Sequence, residues 1–121
     1  MREANTMAAG KLSTHVLDTA RGRPAAGMRV ELFRVGSPGG AAPLVETMTN
    51  ADGRTSAPLL VGEDLKAGTY RLAFHVGDYF CGQGHPDGRR FLDVVPIVFV
   101  VDDPNAGYHV PLLVSPWAYS T

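Results

Sequence analysis

The chain has one cysteine, no long apolar run, no excess of either charge and no stretch of helical periodicity. Each shortage excludes a class of protein. Cys81 cannot close an intrachain disulfide, which argues against a disulfide-stapled secreted domain. Nothing in the residues around it marks it as a nucleophile, so an ordinary half-buried thiol is expected. The 12 acidic residues nearly cancel the 11 basic ones, giving a net charge of -1. No basic field exists to draw nucleic acid, and no Lys/Arg cluster marks a membrane surface. No apolar stretch reaches the ~20 residues of a membrane-spanning helix. The N-terminus lacks the apolar centre of a secretory signal, and a cytoplasmic location is expected. Residues 1–10 are small and polar and read as a loose extension, leaving one domain over residues 11–121.

What is present is turn formers and alternation. The 121 residues include 14 glycines and 9 prolines, with 45% apolar and 19% charged residues. That balance suits one packed core cut by many turns. Apolar residues recur with period two over 12–18, 28–35, 44–49, 69–76 and 108–114, which predicts half-buried strands. Residues 91–101 are so densely apolar and β-branched that a buried strand is expected, despite Pro96. Residues 118–121 begin a further strand. Asn50-Ala-Asp-Gly53 reads as a turn with glycine at a left-handed position. Residues 36–40 read as a loop. Residues 62–68 read as a polar connection with room for one helical turn. Gly77 to Gly84 is too short for a long helix, although Asp78 is placed to cap one. Without 10–15-residue helical segments, parallel βαβ units are excluded. The prediction is an all-β sandwich with at most one short helix.

The chemistry depends on which face each polar residue occupies. With Tyr108, Val110, Leu112 and Val114 turned inward, the other face of that strand holds His109, Pro111, Leu113 and Ser115. The first strand likewise turns Ser13, His15 and Leu17 away from the core. A histidine among apolar residues on an outer face reads as a surface covered by another subunit, where His15 and His109 could meet. Taken alone, each reads as an ordinary polar residue on a strand. Arg54 follows the Asn-Ala-Asp-Gly turn and reads either as a solvated loop residue or as a bidentate holder of a planar, carbonyl-rich ligand. His75 and His85 read as solvated. Asp102 and Asp103 read as turn residues. The four histidines are too dispersed for a local zinc motif. No nucleophile elbow, phosphate loop or C-x-x-C is present.

Three segments are more specific. They are Leu12-Ser-Thr-His-Val-Leu-Asp18 running on to Gly22-Arg-Pro-Ala-Ala-Gly-Met28, then Asn50-Ala-Asp-Gly-Arg-Thr55, and finally Tyr108-His-Val-Pro-Leu-Leu-Val-Ser-Pro116 with Ala118-Tyr-Ser-Thr121. Together they resemble the 5-hydroxyisourate hydrolases, the enzyme branch of the transthyretin family, over residues 11–121. The resemblance implies a transthyretin-like two-sheet β-sandwich with one short helix near Gly77–Gly82. It implies a homotetramer, a dimer of dimers with active sites at the dimer–dimer interface. It implies hydrolysis of 5-hydroxyisourate in urate degradation with His15, Arg54 and His109 as catalytic residues, Ser120 as a substrate contact, and no metal or organic cofactor. Hydrolases of this family typically continue past Tyr-Ser-Thr with Tyr-Arg-Gly-Ser, a tail lining the site, whereas this sequence stops at Thr121. That departure keeps a second expectation open, a noncatalytic tetramer that binds a small planar ligand.

Overall fold

The structure, a computed structural model, describes residues 9–36 and 42–121. Most of the expected extension and of the 36–40 loop therefore lie outside the described residues. The strands are β1 (Lys11–Asp18), β2 (Arg23–Pro24), β3 (Arg29–Arg34), β4 (Val45–Met48), β5 (Leu60–Val61), β6 (Gly68–His75), β7 (Val94–Val101), β8 (Gly107–Val114) and β9 (Tyr119–Ser120). Among the described residues one helix, α1 (Val76–Gly82), follows β6, and one 3-10 turn occupies Gly62–Asp64.

Two sheets form. One runs β2-β1-β8-β9, with β5 on the far end of β1; the other runs β4-β3-β6-β7. The expected two-sheet sandwich with one short helix is what the chain adopts. β1 and β8 lie side by side in parallel over their full length, from Lys11 opposite Gly107 to Asp18 opposite Val114. Strands near the two chain ends thus become neighbours.

The inward alternation is as the sequence predicts. Leu12, Val16, Met28, Val30, Leu32, Tyr70, Leu72, Phe74, Leu112 and Val114 are buried between the sheets. Each such side chain contributes about 1.5–3 kcal/mol relative to leaving it in water. Thr14 shares this face, and its hydroxyl donates to the carbonyl of Val110 at 2.7 Å, so the buried oxygen is paired. In α1, Val76, Tyr79 and Phe80 fall on one side at helical spacing and are buried.

Five local expectations are corrected. The 91–101 run is not a buried strand: β7 is a sheet edge, and while Val95 and Val101 face the core, Val98 and Val100 are 61% and 62% exposed. A dense apolar run cannot say which of its two faces is covered. Phe91 lies before the strand, also exposed, stacked on Trp117. Cys81 is exposed rather than half-buried, because it falls on the outer side of α1. Asp78 makes no capping bond and instead pairs with Arg89. His75 is only 15% exposed, and its Nε2 sits 2.6 Å from Glu31 Oε1, a partner from β3 that sequence spacing does not reveal. His85 is half-buried, edge-on to Phe80.

Candidate active site

The site forms where β1, β8 and the turn after β4 converge. Asn50 closes that turn: its Oδ1 accepts from the N–H groups of Asp52 and Arg54, and its own N–H donates to the Arg54 carbonyl at 2.7 Å. Gly53 has φ of 74°. A Cβ there would lie 2.3 Å from the Val16 carbonyl oxygen, and the Gly53 carbonyl accepts from Val16 N–H at 2.8 Å. Glycine is therefore required for the conformation and for the close approach to β1. The approach makes Arg54 an antiparallel bridge partner of His15.

His15 Nε2 lies 2.9 Å from the Asp52 carbonyl oxygen. A carbonyl only accepts, so Nε2 carries the hydrogen, and the neutral ring presents Nδ1 as its lone pair. On β8, His109 stands directly opposite Ser13, and its Nδ1 lies 2.9 Å from Ser13 Oγ. His15 stands opposite Pro111, two positions further along, so both imidazoles occupy the same outer face of one sheet. The outer faces of the two strands suggested that the histidines could meet, and the parallel pairing of β1 and β8 places them on one face of one sheet.

His109 is held below the ordinary histidine value of 6.5, first because it is partly withdrawn from water, then by the Arg54 cation, and least by His15. A neutral imidazole beside a fixed cation can take a proton, while the guanidinium can stabilise a developing oxyanion. Among the described residues no carboxylate pairs with Arg54. Ser13, Thr14 and Arg54, with Thr55 to Pro58, line a cleft of about 140 Å³. A larger hollow of about 540 Å³ lies elsewhere, against Gly62, Leu65, Lys66 and Pro104, away from all four histidines. No group of three or more His, Cys, Asp or Glu among the described residues is arranged to hold a metal ion.

Ser120 is exposed on β9 opposite Leu113, and so shares the outer face. It lies two positions along β8 from the His15 row and four from the His109 row, about 7 and about 13 Å at strand spacing. Sequence reasoning missed Ser13 and the Asp52 carbonyl. Ser13 was legible as an outward neighbour of His15, but its pairing with His109 needs the strand register.

Comparison with known proteins decides the family. The sequence pattern described as the HIUase/Transthyretin family matches residues 12–121. This chain belongs to that family. A 5-hydroxyisourate hydrolase from Deinococcus radiodurans is 56% identical over 110 residues, covering 91% of this chain and 92% of that protein. Among solved structures of HIUase/Transthyretin type, Klebsiella pneumoniae 5-hydroxyisourate hydrolase superposes with a TM-score of 0.74 at 33% identity, covering 92% of this chain and 89% of that one. An (S)-allantoin synthase superposes with a TM-score of 0.85 at 44% identity; the match covers 93% of this chain but 42% of the synthase.

Proposed function

We propose that this chain is a hydrolase that opens 5-hydroxyisourate to 2-oxo-4-hydroxy-4-carboxy-5-ureidoimidazoline. The observation that carries the reading is the convergence of His15, Arg54 and His109 on one sheet face, in a chain 56% identical to a protein named for that activity. That match favours hydrolysis over the noncatalytic ligand-binding alternative.

In this reading His15 and His109 position a water and remove its proton as its oxygen attacks a ring carbonyl carbon. Arg54 orients the substrate and balances charge on the carbonyl oxygen. The carbon–nitrogen bond then breaks, the ring nitrogen leaves with a proton, and the attacked carbon stays in the opened product as its carboxylate. The side chains supply base, acid and positive charge, so the step needs no metal or organic cofactor. A catalytic domain over residues 11–121, behind a short extension, carries all of these groups.

The finer part of the proposal is a cytoplasmic homotetramer, a dimer of dimers. A cleft of about 140 Å³ is small against the roughly 300 Å³ and more of typical ligand sites. A second copy packed on this face would deepen it and withdraw His109 further from water. Pro111 and Leu113 give that face an apolar surface to bury. Ser120, on the same outer face, would then contact substrate in the deepened cleft. The exposed thiol of Cys81 suits a reducing compartment.

Hydrolysis in 18O-labelled water tests the reaction. The product carboxylate should gain one labelled oxygen, at a rate proportional to enzyme. Unlabelled product, or labelling at the spontaneous rate only, would exclude it.

A further inference from the structure

The Ser13 hydroxyl lines the cleft beside Arg54 and also touches the His109 ring. The contact is built by register: Ser13 and His109 face one another on adjacent parallel strands, so their side chains emerge together on the outer face. Among the described residues the hydroxyl has no other hydrogen-bond partner. A neutral imidazole has one lone pair, and the nitrogen that keeps it is set by the partner of the other nitrogen. His15 shows the principle, since a backbone carbonyl fixes its hydrogen on Nε2.

We propose that Ser13 is the positioning residue for His109: its Oγ accepts from Nδ1–H and leaves Nε2 as the unprotonated nitrogen offered to water. Ser13 has this role only if the chain is the hydrolase proposed above. When water attacks, Nε2 gains the proton and the ring becomes imidazolium. Nδ1–H keeps its bond to Oγ throughout, so the hydroxyl need not turn over. Nε2 then gives the proton to the departing ring nitrogen and returns to its starting state. The reverse arrangement, with the hydroxyl donating to Nδ1, would place a hydrogen on Nε2 and block its use as a base. The two histidines therefore present unlike nitrogens on one face, Nδ1 from His15 and Nε2 from His109.

Nitrogen-15 spectra of the imidazoles, recorded where His109 is neutral, separate the two tautomers without any turnover. Wild type and Ser13→Thr should carry the His109 proton on Nδ1. Ser13→Ala should shift it toward Nε2, lower kcat about tenfold and leave KM little changed, with Ser13→Thr recovering the rate. A wild-type hydrogen on Nε2 would overturn the proposal, as would a tautomer unmoved in Ser13→Ala. So would a rise in KM at unchanged kcat, the signature of a direct substrate contact. Should wild type fail to hydrolyse 5-hydroxyisourate at all, the hydrolase reading fails, while the spectra still decide the tautomer.

Discussion

The Nε2 of His15 lies 2.9 Å from the carbonyl oxygen of Asp52, so a turn between two other strands fixes the tautomer of a β1 side chain. That turn also carries Arg54, and Gly53 lets it approach β1. The site is thus set by backbone as much as by side chains.

Gly53→Ala should therefore damage both fold and site. The new Cβ meets the Val16 carbonyl, and φ of 74° disfavours alanine. A loss of about 2 kcal/mol is expected in urea denaturation, with a fall in kcat among the molecules that remain folded.

Arg54→Met should move the titration of His109 upward. The cation repels the imidazolium and lowers its pKa, so its removal lets the ring hold a proton at higher pH. An NMR titration of His109 should show the midpoint rising toward 6.5, and the acidic limb of kcat/KM should move to higher pH. Loss of the oxyanion partner should also lower kcat by about 10²-fold.

Tyr79→Phe tests the joint between α1 and β1. The Tyr79 hydroxyl donates to Asp18 Oδ2 at 2.8 Å, and Asp18 is fully buried. Removing the donor should cost about 2 kcal/mol, because the acceptor is a buried carboxylate. Burial, then the Asp18 carboxylate, push the Tyr79 pKa up from 10.0 to about 12. The folded state holds that proton more tightly than the unfolded chain. The stability gap between wild type and variant should be constant below pH 10 and narrow as pH rises through about 12, read from urea midpoints.

Leu113→Glu tests the assembly. Leu113 is 38% exposed on the site face, so a charge there leaves the core intact. Analytical ultracentrifugation should show the wild type as a tetramer and the variant as smaller species, with activity falling alongside.

The longer strands were legible because one face is more buried than the other and period two follows; the two-residue β2 and β5 were not. β7 was legible as a strand, but its exposed face was not, because a sheet edge with half its apolar residues exposed has the same composition as a buried strand. His15 and His109 were legible as outward residues, and the resemblance gave them a role. That they could meet was legible, but the strand pairing and register that join them were not, since β1 and β8 pair over a separation of 96 residues, as Ser13 and His109 do. Register of that range depends on the whole sandwich closing. The partners of His75 and the hydroxyl at His109 are contacts of the same long-range kind.

The most direct test is the decay of freshly made 5-hydroxyisourate, followed by ultraviolet absorbance with wild type, His15→Ala and His109→Ala. Wild type should accelerate decay in proportion to its concentration, and each variant should lose about 10²-fold or more while melting cooperatively. Decay at the spontaneous rate with the folded wild-type protein, or full activity in both variants, would contradict the account.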